Sequence, residues 1–116
     1  MERAIPILPS DDLGEARAFY VKLGFTVTFE VTEDGKRGLM GLKRGTIELT
    51  IDSPMPGHGR DACCSLEVDD ADACYEAWRD AVVIEAPSRD EDWGTRTFSV
   101  RDPAGNTLFV IGPRRP

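Results

Sequence analysis

The sequence has few of the residues on which disulfide and metal chemistry depend. Its 116 residues include three cysteines and a single histidine. An odd number of cysteines, without the apolar core of a signal peptide at the N-terminus, argues against a disulfide framework and indicates free thiols in a reducing compartment. No apolar run approaches the roughly 20 residues that a membrane-spanning helix requires. We therefore expect a cytoplasmic protein that does not associate with a membrane.

Basic residues are also in short supply. Lysine and arginine number 14 against 21 aspartates and glutamates, so the net charge is −7. That charge repels a nucleic-acid backbone, and nucleic acid is not an expected partner. The same charge attracts a cationic ligand. With 41% hydrophobic residues, the length suits one domain, residues 1–116, that needs neither metal nor disulfides to fold.

The sequence repeats itself at an offset of 58 residues. Asp11–Asp12 corresponds to Asp69–Asp70, and Tyr20 corresponds to Trp78. Each acidic pair follows an apolar stretch and precedes apolar residues at helical spacing. These residues are Leu13, Ala16, Phe19, Tyr20 and Leu23 in the first half, and Ala71, Cys74, Tyr75, Trp78 and Val82 in the second. The repeat predicts two similar modules, each with one helix.

Alternating apolar and polar residues predict strands around each helix. The strand patterns cover 25–31, 38–43 and 46–51 in the first half, and 63–68, 82–84, 95–101 and 107–111 in the second. Residues 52–60 form a linker rich in proline and glycine, and residues 85–94 form an acidic loop that carries Trp93. The result is an α+β fold of two tandem βαβββ modules, residues 1–56 and 61–116. Pro6 and Pro9 lack an N–H donor, which predicts that the first strand lies at a sheet edge or forms an arm that reaches across to a partner subunit.

Several local motifs resemble the vicinal oxygen chelate superfamily, which includes glyoxalase I, extradiol dioxygenases and bleomycin resistance proteins. Ser10–Leu13, followed by Ala18–Tyr20 and Leu23–Phe25, resembles the first helix of that superfamily and the exit from it. Asp102–Asn106 resembles its closing hairpin. The resemblance covers nearly the whole chain and implies that the two modules form a cupped mixed β-sheet.

Within the superfamily, the sequence is most similar to the bleomycin resistance proteins. The similarity lies in Pro6–Asp11, in Ala62–Cys64 and in Asp92–Thr95. It implies a homodimer that holds a bleomycin-type glycopeptide antibiotic, or a similar cationic small molecule, in clefts between its subunits. It also implies that the protein sequesters this ligand without chemistry, without catalytic residues and without a cofactor.

Catalytic relatives bind a divalent metal through two histidines and two glutamates, one position on each of four strands. The resemblance places Ile5, Glu48, Cys63 and Phe109 at these positions. Two of the four are apolar and cannot bind a metal. The single histidine, His58, is expected to be an exposed linker residue. The sequence therefore predicts no metal site. Two alternatives to the binding function are a metal-dependent glyoxalase-like lyase or extradiol dioxygenase of the same fold, and a structural or regulatory dimer whose cleft has no ligand.

Strand alternation indicates which side chains line a cleft. Glu48 and Thr50 share one strand face with Thr46, and Thr97 and Ser99 share another with Thr95. Hydroxyls, carboxylates and aromatic faces suit a polar cationic ligand with flat rings. For Phe29 and Met40, packing within the protein is an equally open interpretation. The predicted ligand-binding residues are Phe29, Glu30, Met40, Glu48, Thr50, Cys63, Trp93, Thr97 and Ser99.

Overall fold

The computed structural model describes residues 2–54 and 59–114 and contains eight strands and two helices within them. The first module comprises β1 (Ile7–Pro9), α1 (Leu13–Lys22), β2 (Thr26–Thr32), β3 (Gly38–Arg44) and β4 (Ile47–Asp52). The second comprises β5 (Cys63–Glu67), α2 (Ala71–Trp78), β6 (Ile84–Asp90), β7 (Thr95–Arg101) and β8 (Thr107–Pro113). This order confirms the predicted α+β fold of tandem βαβββ modules. His58 and the predicted boundary at residue 56 lie outside the described residues.

The strands form two separate four-stranded mixed sheets. The first sheet has the order β1-β4-β3-β2, and the second has the equivalent order β5-β8-β7-β6. In each sheet the first strand of the module pairs in parallel with the last, and the remaining pairs are antiparallel. Strand β1 lies at an edge, as the prolines predict. The prediction of one cupped sheet is thus refined to two sheets, one from each module.

Both helices begin in the same way. The side chain of Asp12 accepts a hydrogen bond of 3.0 Å from the backbone N–H of Glu15, and Asp70 accepts one of 3.1 Å from Ala73. An aspartate at the N-cap satisfies one of the N–H groups that have no partner within the helix. Helix α1 ends before Gly24, whose φ of +95° suits glycine at this position. The repeat seen in the sequence therefore marks the two helix N-caps.

Each sheet packs one face against the helices, and we call this the helix face. Apolar side chains of β3, β4, β7 and β8 meet the buried sides of α1 and α2 there, in one continuous core. The largest fully buried members are Tyr20, Phe98, Leu8, Leu13, Leu23, Met40, Leu42, Leu49, Ile51, Leu66, Leu108 and Val100. The opposite side of each sheet is its open face. The helices therefore leave one side of each sheet uncovered.

Buried hydrogen bonds join the two modules. The hydroxyl of Tyr20 donates to Oδ2 of Asp102 over 2.7 Å. Asn106 Nδ2 donates to the same oxygen over 2.9 Å and to the backbone carbonyl of Pro9 over 2.8 Å. Burial and the neighbouring Asp102 carboxylate raise the pKa of Tyr20 well above its usual value, so the hydroxyl stays a donor. These bonds tie helix α1 and strand β1 to the hairpin between β7 and β8.

The second module departs from its predicted strands in one place. The sequence predicts a short strand at 82–84 followed by an acidic loop, whereas β6 runs from Ile84 to Asp90. Strand β6 lies at the edge of its sheet and has irregular register on both sides of Ala86. An irregular edge strand tolerates Pro87, which has no N–H to donate. Only residues 91–94 remain as the turn, with Trp93 inside it.

No helix in the described parts of the chain is long and apolar enough to cross a membrane.

Candidate ligand-binding site

Strand register decides which predicted residues reach the open face of the first sheet. Phe29 pairs with Gly41, and Gly41 pairs with Thr50, so these three lie side by side on the open face. Glu30 and Met40 are the next residues along their strands, and therefore lie on the helix face. Met40 is fully buried in the core, and Glu30 forms an ion pair with Arg17 of α1. The prediction that Glu30 and Met40 line a cleft is wrong for this reason.

A first cleft of about 210 Å³ lies on this open face. Phe29 is partly exposed at its wall, and its ring lies over the backbone of Gly41. Glu48 and Thr50, both predicted, are on the floor contributed by β4. The first cleft is lined by Arg3, Ile5, Thr28, Phe29, Gly41, Leu42, Glu48, Leu49 and Thr50. It combines an aromatic ring, a carboxylate and a hydroxyl.

A second cleft of about 290 Å³ lies on the open face of the second sheet. Trp93 projects from the β6–β7 turn with 72% of its surface exposed, and Phe109 is partly exposed on β8. Thr97 and Ser99 of β7 contribute hydroxyl groups beside them. The second cleft is lined by Ser65, Ala86, Pro87, Arg89, Glu91, Trp93, Thr97, Phe98, Ser99, Phe109 and Ile111. Three predicted residues meet here, and two aromatic side chains lie on its surface.

Glu91 is the carboxylate of the second cleft. Its Oε1 accepts a hydrogen bond of 2.7 Å from the hydroxyl of Thr97 and another of 2.7 Å from Nε of Arg89. The hydrogen bond from Thr97 has the largest effect and that from Arg89 the next, and together they hold the pKa of Glu91 below its usual range. The group is therefore an anion at neutral pH, positioned at the edge of the Trp93 turn.

The cysteines differ in their surroundings. Cys63 is exposed at the start of β5, on the same face as Ser65, but it lines neither cleft, so its predicted ligand contact is not supported by its position. Cys64 points to the other face and packs partly against the core. Burial raises the pKa of the Cys64 thiol to about 11. Cys74 is buried, and Arg44 donates to its Sγ over 3.7 Å. All three cysteines are free thiols.

Sequence reasoning missed several lining residues. Phe109 was considered only as a metal position, although alternation along β8 separates Thr107, Phe109 and Ile111 from the buried Leu108 and Val110. That alternation would have predicted an aromatic side chain on the open face. Arg3 and Arg89 carry no comparable local signal, because each lines a cleft only through the tertiary position of its segment.

Comparison with known proteins identifies the family of this chain. The family model described as the glyoxalase/bleomycin resistance protein/dioxygenase superfamily matches residues 5–110. The chain belongs to this superfamily. A bleomycin resistance protein of Klebsiella pneumoniae is 31% identical over 122 aligned positions, which cover 95% of this chain and 91% of that protein.

Solved structures of the superfamily share the fold over nearly the whole chain. A bleomycin resistance determinant encoded on the transposon Tn5 is 28% identical and superposes with a TM-score of 0.80, covering 99% of this chain and all of that one. The bleomycin-binding protein from the bleomycin-producing Streptomyces verticillus, complexed with copper(II)-bleomycin, is 29% identical with a TM-score of 0.77 and covers 98% of both chains. The superfamily resemblance seen in the sequence is therefore confirmed.

The metal positions of the superfamily's enzymes can be tested against the strand registers. Ile7 pairs with Thr50 in the first module, and Ser65 pairs with Phe109 in the second. By these registers Thr50 of β4 is equivalent to Phe109 of β8. Glu48 lies two residues before Thr50, and its equivalent in the second module is therefore Thr107. The metal position that the sequence assigned to Phe109 thus falls on Thr107. Within residues 2–54 and 59–114, no three His, Cys, Asp or Glu side chains are grouped so as to hold a metal ion. At these positions Ile5 and Thr107 do not carry side chains of the types that usually bind a divalent metal.

Proposed function

We propose that the protein binds and sequesters a bleomycin-type glycopeptide antibiotic, or a similar cationic small molecule, and confers resistance without chemistry. The observation that carries this proposal is the second cleft, where the partly exposed rings of Trp93 and Phe109 lie beside the carboxylate of Glu91 and the hydroxyls of β7. The relatives named above are described as bleomycin resistance and bleomycin-binding proteins. The ligand and the binding mode of this chain are our inference from both.

The lining matches the chemistry of such a drug. Bleomycin-type drugs carry a flat bithiazole and a positively charged tail. Flat rings stack on aromatic side chains with a gain of about 0.5–1.5 kcal/mol beyond area burial. Trp93 offers a ring that no neighbouring core residue covers, and Phe29 offers another in the first cleft. The carboxylates of Glu48 and Glu91 suit the cation, and the net charge of −7 favours its approach.

We further propose that the binding unit is a homodimer with its ligand clefts between subunits. The open faces carry exposed apolar side chains that the helices of the same chain do not cover: Ile7, Phe29 and Val31 on the first sheet, Trp93 and Phe109 on the second. Such surfaces mark sites of protein or ligand contact. A second copy that sets its second sheet against the first sheet would enclose a ligand between aromatic walls. The three free thiols support a cytoplasmic location for this dimer.

Calorimetric titration with metal-free and copper-loaded bleomycin tests the proposed function. We expect binding tighter than roughly 1 μM, near one ligand per subunit, with drug that mass spectrometry recovers unaltered. Absence of binding heat at two temperatures would exclude the drug. Recovery of modified drug, or turnover that depends on added metal, would instead identify an enzyme of the same fold. Sedimentation of a monomer at micromolar concentration would contradict the dimer.

A further inference from the structure

Each cleft contains one carboxylate that is covered by an arginine of its own module. In the first cleft, Nε of Arg3 lies 3.2 Å from Oε2 of Glu48. In the second, Nε of Arg89 lies 2.7 Å from Oε1 of Glu91. All four side chains line the clefts. Arg3 belongs to the segment before β1 and Arg89 to β6, so the internal repeat does not account for this relationship occurring twice.

The two members of each pair differ in how firmly they are held. The arginine side chains are 60% and 71% exposed, whereas the carboxylates of Glu48 and Glu91 are 21% and 11% exposed. Glu48 lies within the central strand β4, and Glu91 is also held by the hydroxyl of Thr97. The carboxylates are thus fixed parts of the clefts, and the arginines are long side chains that solvent reaches. An exposed ion pair of this kind contributes little to stability, so displacing the arginine costs little.

We propose that Arg3 and Arg89 are resident counter-ions that the cationic group of a ligand displaces from Glu48 and Glu91. This inference rests on the proposed function, and it names the feature that selects the ligand. A cationic ligand replaces one ion pair by another that is more enclosed from solvent. A neutral ligand of the same shape leaves the arginine in place and gains nothing from the carboxylate. If the arginines instead contacted an anionic group of the ligand, their removal would weaken binding. As displaced counter-ions, their removal should strengthen it.

Arginine variants distinguish the two roles. Metal-free bleomycin is titrated calorimetrically into the wild-type protein, R3M, R89M and R89M/E91Q. The matched control is R101M, because Arg101 is similarly exposed and pairs with Glu85 over 2.6 Å, but neither residue lines a cleft. We expect R3M and R89M to bind about two- to fivefold more tightly than R101M, which carries the same change in net charge. The gain should disappear in R89M/E91Q. Affinities equal to or weaker than that of R101M would overturn the proposal.

A second readout needs no drug and separates this inference from the proposed function. Trp93 is exposed and Trp78 is buried, so ionic quenchers of tryptophan fluorescence report on the second cleft. If Arg89 masks Glu91, R89M should raise quenching by caesium and lower quenching by iodide relative to R101M, and R89M/E91Q should reverse both changes. If the wild-type protein does not bind bleomycin, the proposed function fails, but the quenching measurement still decides whether Arg89 is the counter-ion of Glu91. Identical quenching of R89M and R101M would overturn it.

Discussion

The ring of Phe29 occupies the space that a side chain at Gly41 would need. A Cβ atom on Gly41 would lie 2.3 Å from Cε1 of Phe29 and 2.5 Å from Oγ1 of Thr28. Phe29 of β2 pairs directly with Gly41 of β3. The absence of a side chain at Gly41 therefore leaves room for the aromatic ring on the open face, where Phe29 lines the first cleft.

Substitution of Gly41 by alanine should move this ring. We expect G41A to lose about 1–3 kcal/mol of unfolding free energy, because the added methyl group overpacks the site. We also expect weaker bleomycin binding, by up to about tenfold, since the ring leaves its stacking position. Urea denaturation and calorimetric titration measure the two effects. G59A is the control, because a Cβ there meets nothing within 4 Å. Unchanged binding by G41A would show that the Phe29 ring does not contact the ligand.

Trp93 should contribute to binding and hardly to stability. Its side chain is mostly exposed in the β6–β7 turn, so W93A removes little packing. Truncation of an aromatic side chain at the centre of a binding site typically costs about 2 kcal/mol, or about 30-fold in affinity. The matched control is V83A, since Val83 is equally exposed but lines neither cleft. A W93A protein that binds bleomycin like the wild type would remove the second cleft from the proposed site.

The hydrogen bond between Tyr20 and Asp102 should stabilise the association of the modules. Replacement of Tyr20 by phenylalanine removes one of the buried donors to the Asp102 carboxylate. We expect Y20F to lower the free energy of unfolding by about 1–3 kcal/mol, because a charged acceptor is left with one donor fewer. Urea denaturation measures the loss, and Y75F, outside this network, is the control. Equal stabilities of Y20F and Y75F would contradict the role assigned to the bond.

The thiols of Cys63 and Cys64 should differ in reactivity. The pKa of Cys64 is raised to about 11 against a reference value of 9.0, chiefly by burial, whereas Cys63 is exposed. At pH 8 iodoacetamide should therefore modify Cys63 before Cys64, as peptide mass spectrometry would show.

The raised pKa of Cys64 also makes stability depend on pH. Because the Cys64 thiol keeps its proton to a higher pH in the native state than in the unfolded state, its contribution to stability is present below pH 9 and is lost as the pH rises towards 11. A C64A variant should lack that part of the pH dependence; preferential labelling of Cys64 would contradict the assignment.

The sequence predicted the fold because each of its signals is local. The repeated N-caps, the alternation in β4 and the turn before Thr107 identify their elements without tertiary information. Alternation separated Glu48 and Thr50 from the buried Leu49 and Ile51. Most of strand β6 was predicted as a loop because its proline and acidic residues are typical of a loop, and only its edge position in the sheet makes it a strand.

The site was only partly predictable, because it depends on register between strands. Whether Met40 or its neighbour Gly41 lies beside Thr50 is decided by the register between β3 and β4, and so by the length of the turn that joins them. The irregular pairing between Val27 and Phe29 decides in the same way which residue of β2 lies beside Gly41. Neither register can be read from the residues alone. The pair formed by Arg3 and Glu48 joins residues far apart in the chain, and no local pattern announces it.

Subunit complementation tests the central claim, a ligand cleft formed by two subunits, most directly. F29A and W93A chains, each with a different affinity tag, are co-expressed, and the mixed dimer is isolated and titrated with metal-free bleomycin. If the first sheet of one subunit faces the second sheet of the other, one cleft of the mixed dimer lacks both rings and the other keeps both. We predict wild-type affinity at half the wild-type stoichiometry, with weak binding by either homodimer. Uniformly weak binding by the mixed dimer would contradict a cleft between subunits.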